Sequence, residues 1–317
     1  MSLRRLFSSS QEAQFLHRIE IPISYSALYF RVTGTNGATP AAARDVGRLR
    51  FSIRQQPVVD ADFDYLQAVA NHWNGSSEFT STGSGAFNAS VLIPRSFIGD
   101  KNVERVTKAD AAIFETSFTS TLFTNIASGF LAELYAVTEE GPQSYNLLLL
   151  QQTLPTIAAS SLYTDDISTT ENLCAAYISD VVASVLTLAS SNINSLRARK
   201  GDVTIDVFRT ALMAYTAQKY NIEGAANPST TQVLAEIFGL DGSDLSARLL
   251  DQFNLTVENG SGGTSLPQIL TVGFKPNPDR LGESSAEIRN RLAQVRQEKT
   301  AAGKTRALQV VSALTGA

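Results

Sequence analysis

The sequence predicts a mainly β protein built from two similar sandwich-type units, with short helices inserted between strands. Three observations carry this expectation. Segments of the first half alternate apolar and polar residues with period two and are separated by Gly- and Pro-containing turns. At 317 residues the chain can enclose two cores of ordinary size. A strand-to-helix pattern of the first half also recurs faintly in the second. A composition of 43% hydrophobic and 18% charged residues is that of a globular protein, and no run of 18 apolar residues is long enough to span a bilayer as a helix.

The chain opens with MSLRRLFSSS, read as a basic arm over residues 1–16 that carries Arg4 and Arg5. From Arg18 to Val32, residues Ile19, Ile21, Ile23, Tyr25 and Ala27 share one face of a strand, and Pro22 marks an edge or bulge. After the turn cluster Gly34 to Pro40, Leu49, Phe51 and Ile53 oppose Arg48, Arg50, Ser52 and Arg54, so one face is core and the other is wet. The period then lengthens. Phe63, Leu66, Ala70 and Trp73 predict a short helix capped by Asp60 or Asp62 and stopped by Asn74-Gly75. Alternation returns at Phe87 to Ile93 and at Ala112 to Phe118. Leu131 to Thr138 and Ser144 to Gln151, on either side of Glu139 to Gln143, predict a hairpin.

In the second half, helix and strand compete. Ser168 to Glu171 has capping-box spacing and Leu173 to Leu188 is apolar, yet Val181, Val182, Val185 and Ile193 are β-branched; a short helix followed by a strand is expected. Ile205 to Tyr220 predicts a helix with Ile205, Phe208, Leu212, Tyr215 and Lys219 on one side. Asn254 to Glu258 and Gln268 to Phe274 predict strands joined by a hairpin loop at Asn259 to Thr264, and residues 229–253 are ambiguous. The echo pairs strand Arg48 to Arg54 and helix Phe63 to Trp73 with strand Val181 to Leu188 and helix Phe208 to Tyr220. Each helix opens on a phenylalanine and closes on an aromatic-Asn pair.

The tail differs in charge. From Lys275 onward eight basic residues face four acidic ones, whereas residues 1–274 hold 18 basic and 26 acidic. Ser284 and Glu287 form a capping box, and Ile288, Leu292 and Val295 then mark an apolar stripe bordered by Arg289, Arg291, Arg296 and Lys299. Lys304 and Arg306 extend the pattern past Gly303. An amphipathic helix of this kind suits an anionic surface, or packs beneath a neighbouring subunit.

Motifs for chemistry are sparse. The single cysteine, Cys174, and the two histidines, His17 and His72, fall short of a closed zinc site. Gly303-Lys304-Thr305 lacks the upstream glycine of a phosphate loop, since Glu298 stands there. The aspartates at 60, 62 and 64 lack the glycine turn and distal glutamate of a calcium loop. Further acidic pairs stand at Asp165 and Asp166 and at Asp241 and Asp244. Phe51, Phe63, Trp73, Phe87, Phe114 and Phe118 keep the apolar phase of their elements and read as core, not as nucleic-acid stacking platforms. No catalytic residue, metal ligand or cofactor is assigned.

The strand RIEIPISYSALYFRVTG (18–34), the strand and helix VGRLRFSIRQ and FDYLQAVANHWNG (46–55 and 63–75) and the segment ELYAVTEEGPQSYNLLLLQQ (133–152) follow one another in an order that resembles a known family. It is that of the double jelly-roll major capsid proteins of tailless icosahedral phages with an internal membrane, of the corticovirus, finnlakevirus and tectivirus type. The likeness covers roughly residues 15–278. It implies an all-β fold of two tandem jelly-roll sandwiches, residues 17–157 and 158–278, with short inserted helices. A basic amphipathic C-terminal helix over 279–317 would follow. It further implies a structural virion protein, not an enzyme, that forms homotrimers packed as pseudo-hexagonal capsomers of a shell over a lipid membrane. Minor capsid and vertex proteins would be further partners. Arg4, Arg5, Arg289, Arg291, Arg296, Lys299, Lys304 and Arg306 would then face the membrane or the interior. Some members use calcium between subunits; no ligands for it can be placed on this chain.

Two other readings stay open on the residues alone. One is an α+β nucleoprotein, or another virion component, that binds nucleic acid through the basic tail. The other is a carbohydrate-active β-sandwich enzyme with two carboxylates in a cleft.

Overall fold

The computed structural model describes residues 2–10, 16–21, 27–74, 78–94, 111–138, 145–200, 203–219, 233–238 and 250–276. The first half holds β1 (Ser2–Ser9), β2 (Leu16–Ile21), β3 (Ala27–Asn36), β4 (Arg48–Ile53), β5 (Gln56–Asp62), α1 (Phe63–Asn74), β6 (Phe79–Ser81), β7 (Ala86–Pro94), β8 (Ala112–Ser117), α2 (Ser120–Asn125) and β9 (Ile126–Thr138). One sheet runs β1-β9-β3-β7-β6, and the facing sheet runs β2-β8-β4-β5. The first strand pairs with the last and the second with the one before the last, all antiparallel, as in a strip folded double and rolled. That connectivity is a jelly roll. Its core is aromatic, with Phe30, Phe51, Phe63, Phe87, Phe114 and Phe130 all buried.

The second half repeats the plan with β10 (Tyr145–Thr153), β11 (Leu162–Val182), β12 (Val185–Thr187), β13 (Ile193–Lys200), β14 (Val203–Phe208), α3 (Arg209–Lys219), β15 (Ala235–Phe238), β16 (Leu250–Asn259) and β17 (Pro267–Pro276). The 21-residue β11 serves both sheets. Its first part, Leu162 to Ser168, pairs with β16, which pairs in turn with β13 and so reaches β14. Its later part, Asn172 to Asp180, pairs with β17, which also pairs with β10, while β15 joins on the far side. First strand again meets last, so the second unit is also a jelly roll. In both, the helix follows a hairpin of the same sheet, β4–β5 before α1 and β13–β14 before α3.

The sheet β10-β17-β11-β15 is a wall between the two cores. Ala175, Tyr177, Leu270 and Val272 belong to the first roll's cluster, whereas the alternate residues Ala176, Ile178 and Ile269 belong to the second's. Buried on both faces, the segments Ala175 to Ile178 and Ile269 to Val272 lack the alternation of a strand with one wet face. A parallel pairing of Leu149 and Leu150 with Val59 and Asp60 joins β10 to β5, so one ladder is shared by both rolls.

Several expectations are corrected. The strand from Arg18 to Val32 is two strands, β2 and β3, in opposite sheets. The residues read as a basic N-terminal arm include β1, paired along β9. Leu173 to Leu188 holds no helix and runs through β11 and β12, in keeping with its β-branched Val181, Val182 and Val185. Ile205 to Phe208 is strand, and the helix starts at Arg209. The counterpart of β4 is β13, not Val181 to Leu188.

The expected hairpin around Glu139 to Gln143 is absent in its described arms. β9 already lies between β1 and β3, and β10 lies between β17 and β5. Asn259 to Thr264 likewise joins β16 to β17, which pair with β11 on either side and not with each other, and is not a hairpin loop. Strand β5 was not foreseen. It leaves β4 through Arg54 and Gln55, whose positive φ values of 51° and 66° make a tight turn without glycine.

Candidate functional site

The rolls meet along a polar seam set in apolar surroundings. On α1 the Tyr65 hydroxyl lies 2.8 Å from the Tyr177 carbonyl oxygen and 3.0 Å from that of Gln268, on β11 and β17. Burial drives its pKa well above the ordinary value, so it stays a neutral donor. Beside it, Gln151 of β10 accepts from the Asp62 backbone N–H at 2.6 Å. The Gln151 amide donates to the Asp62 carboxylate at 2.9 Å and to Gln268 Oε1 at 2.7 Å. Every polar atom named here has a partner across the seam, which is what lets such a network be buried without loss.

The aspartates at 60, 62 and 64 sit at the edge of this seam and pair with arginines. Arg48 Nε is 2.5 Å from Asp60, Arg50 is 3.1 Å from Asp60, and Arg44 bridges Asp62 at 3.6 Å and Asp64 at 3.3 Å. Asp62 ends β5 and immediately precedes α1, and its carboxylate accepts from the Gln151 amide and pairs with Arg44 and Arg48. Asp64 is the most enclosed. Burial pushes its carboxyl up to about 6, against the opposing pull of Arg44. It borders a cavity of about 430 Å³ between the rolls, lined also by Ala41, Arg44, Asn71, Phe79 and Leu186.

His17 lies on β2 between the rings of Phe7 and Phe118, at centroid distances of 5.1 and 5.7 Å. Its Nε2 and the hydroxyl of the cross-strand Thr116 are buried without a hydrogen-bond partner among the described residues. Burial lowers the His17 pKa. Asp165 accepts from the Tyr163 hydroxyl and Asp166 from the Asn254 amide; Asp241 and Asp244 lie outside the described residues. Among the described residues no cluster of three or more His, Cys, Asp or Glu side chains could hold a metal ion.

Two outer surfaces complete the picture. On the first roll, Tyr29 of β3 and Tyr135 of β9 are directly opposite, with ring centroids 6.1 Å apart. The Tyr135 hydroxyl donates to Glu133, whose carboxylate raises the Tyr135 pKa; Arg5 lies 3.8 Å from the same carboxylate. On the second roll, Phe208 and Tyr215 are exposed while Leu212 and Met213 face the core. The single helical side expected to carry Phe208, Leu212 and Tyr215 is therefore divided between two faces.

Of the basic residues singled out in the sequence, Arg4 and Arg5 lie exposed on β1. Arg289, Arg291, Arg296, Lys299, Lys304 and Arg306 lie outside the described residues, as does the whole segment read as a C-terminal helix. The seam residues Tyr65, Gln151 and Gln268 were not singled out, since nothing local distinguishes a tyrosine or glutamine that bonds across 100 or more positions.

No protein-family model matches the chain, and no curated protein sequence does. Solved structures do match. The STIV MCP superposes with a TM-score of 0.61 at 12% identity, over 86% of this chain and 97% of that one. The same virus, Sulfolobus turreted icosahedral virus, supplies an atomic structure that matches at 0.60 and 13% identity, over 96% of each chain. The major capsid protein P2 from bacteriophage PM2 matches at 0.56 and 10% identity, over 88% of this chain and 99% of that one. At such identities the likeness is one of fold, and it extends nearly end to end: the chain is a double jelly roll.

Proposed function

We propose that this chain is a major capsid protein, a structural subunit of an icosahedral virion shell, without catalytic activity. The observation that carries the reading is the agreement of both rolls, in order and nearly full length, with the STIV and PM2 proteins. The seam supports it. Shared β ladder, a two-sided wall and a satisfied polar network make one stiff block of two similar rolls, a shape suited to tiling. Three copies would place six rolls around a ring as a pseudo-hexagonal homotrimer.

The finer parts of the proposal rest on sequence. The division between rolls is proposed before β10 and not at 157, supported by the pairing of β10 with β17. Arg4, Arg5 and the basic tail, Arg289 to Arg306, face the interior and an internal membrane, in keeping with the excess of cations after Lys275. Minor capsid and vertex proteins are the expected further partners, and no cofactor is part of the proposal.

Light scattering on the purified full chain tests the reading, with the mass of three chains expected and a stable single chain at high concentration overturning it. Flotation with anionic liposomes, lost on removal of residues 284–317, tests the membrane contact. Salt-sensitive binding of oligonucleotides through the same segment would favour the nucleoprotein reading instead.

A further inference from the structure

Helix α1 has a face that the core of the first roll does not use. Tyr65, Leu66, Val69 and Ala70 are buried on its core side. Asp64, Gln67, Ala68 and Asn71 follow one another at i, i+3, i+4 and i+7, which sets them in one stripe on the other side. This stripe lines the cavity of about 430 Å³ between the rolls. Most of the remaining wall is apolar. The first roll adds Ala41 to Ala43, which lead into a 3-10 turn, and Phe79 of β6. The second adds Ser184, Val185 and Leu186 from the β11–β12 hairpin, and Val233. Phe79, at 43% exposure, and Val185, at 57%, stand at the solvent side, one from each roll. A cavity of this size, with an apolar wall and a few polar groups along one stripe, has the form of a small-molecule site.

The polar groups of the stripe decide what fits there. Asp64 is 7% exposed, and its Oδ1 accepts from the Tyr65 backbone N–H at 2.8 Å. Its Oδ2 meets Arg44 at 3.3 Å, but the same guanidinium also serves Asp62 at 3.6 Å. One cation shared by two carboxylates leaves a desolvated acid short of positive charge, and burial outweighs Arg44 in setting its hold on a proton. Gln67 points the same way. Its Nε2 donates to the carbonyls of Glu78 and Ser90, both at 3.1 Å, so Oε1 is the atom it can offer. The arginine of the lining is therefore already engaged, and the groups on offer are acceptors. We propose that the cavity binds a small primary amine in its ammonium form, with its N–H groups on Asp64 and Gln67 and its apolar body against Phe79, Leu186 and Val233. Because the wall comes from both rolls, the occupant ties α1 to the β11–β12 hairpin and acts as a removable brace across the seam. The site is additional to the shell-subunit reading and stands or falls separately from it.

The test uses the full chain and three probes that share one body: 4-phenylbutylamine, 4-phenylbutanol and 4-phenylbutyrate. Calorimetric titration at pH 7.5 is expected to show the amine saturating one site per chain, with the alcohol and the carboxylate weaker by about tenfold or more. The amine should also raise the unfolding temperature. The charged groups around Asp64 are Arg44 and, from β5, Asp62, whereas Ser184, Val185, Leu186 and Val233 on the second-roll side carry no ionisable group. With the Asp64 carboxyl titrating at about 6, the amine should bind about tenfold more weakly at pH 5, where a proton takes its place. Asp64→Asn keeps the shape and should abolish both the preference for the amine and its pH dependence. Ala68→Leu, which fills the cavity from the helix, should weaken all three probes. An amine that binds no better than the alcohol or the carboxylate, or whose affinity Asp64→Asn leaves unchanged, would overturn the ammonium site. Saturable binding of none of the probes would overturn the cavity as a ligand site. The mass of the assembled chain, measured in the same samples, reports on the shell reading independently.

Discussion

The hydroxyl of Tyr65, on the helix of the first roll, lies 2.8 Å from the carbonyl oxygen of Tyr177, on a wall strand of the second. Both residues are fully buried, so the bond is made where water cannot replace it. Tyr65→Phe keeps the ring and its packing but removes the donor from two buried carbonyl oxygens. A loss of about 1–3 kcal/mol is expected, read as a lower urea midpoint. An unchanged midpoint would mean that the bond contributes nothing to joining the rolls.

Asp64 predicts a dependence on acid. Its carboxyl is held at about 6 in the folded chain against 3.8 ordinarily. Between these values the unfolded chain has released its proton while the folded one keeps it, so the Asp64 contribution falls as pH rises from about 4 to about 6. A displacement of this size corresponds to about 3 kcal/mol. Asp64→Asn removes the penalty of ionisation. Its stability relative to the natural protein should therefore increase across that window and level off above it. Unfolding midpoints of both proteins at pH 4.5 and pH 7 check this, and parallel profiles would refute it.

His17 predicts the opposite sign. Burial lowers its pKa, so as pH falls below 6.5 the unfolded chain takes up a proton before the folded one does. Its contribution is complete above 6.5 and declines on acidification toward the lowered folded value. His17→Leu, which leaves no ionisable ring between Phe7 and Phe118, should lose this acid-side decline. The comparison is a thermal-melt series from pH 7.5 to 5. A variant as acid-sensitive as the natural protein would place the titration elsewhere.

How much of this was legible depended on whether a strand has a wet face. β4 was readable because Leu49, Phe51 and Ile53 are buried while Arg48 and Arg50 meet Asp60 outside. β11 and β17 were hard to read because Ala175 to Ile178 and Ile269 to Leu270 are buried on both sides, which erases period two. Turn residues misled where topology overruled them. Glu139 to Gln143 has the composition of a hairpin turn, but both edges of β9 were already filled. Conversely, the real hairpin at Arg54 and Gln55 has no glycine or asparagine to announce it. The echo was legible because Phe63 is the first residue of α1 and Phe208 the last residue before α3, although one is buried and the other exposed.

Gly47 offers a test of how β4 and α1 are set against each other. It stands between a short 3-10 turn at Ala43–Val46 and β4, with a φ of +84° that L side chains rarely adopt. Its carbonyl accepts the Phe63 N–H at 2.8 Å, which fixes the start of α1. A Cβ here would lie 2.0 Å from the Ser117 carbonyl oxygen on β8, a backbone atom that cannot move aside without breaking the β4–β8 ladder. Gly47→Ala therefore combines left-handed strain with a backbone clash, and a destabilisation of about 3 kcal/mol or more is expected. Gly129 is the control. Its φ is also positive, at +67°, but nothing lies within 4 Å of an added Cβ, so Gly129→Ala should cost only about 1 kcal/mol. Thermal unfolding of the two variants side by side measures the difference, and equal losses would show that the close approach to Ser117 is not what demands glycine.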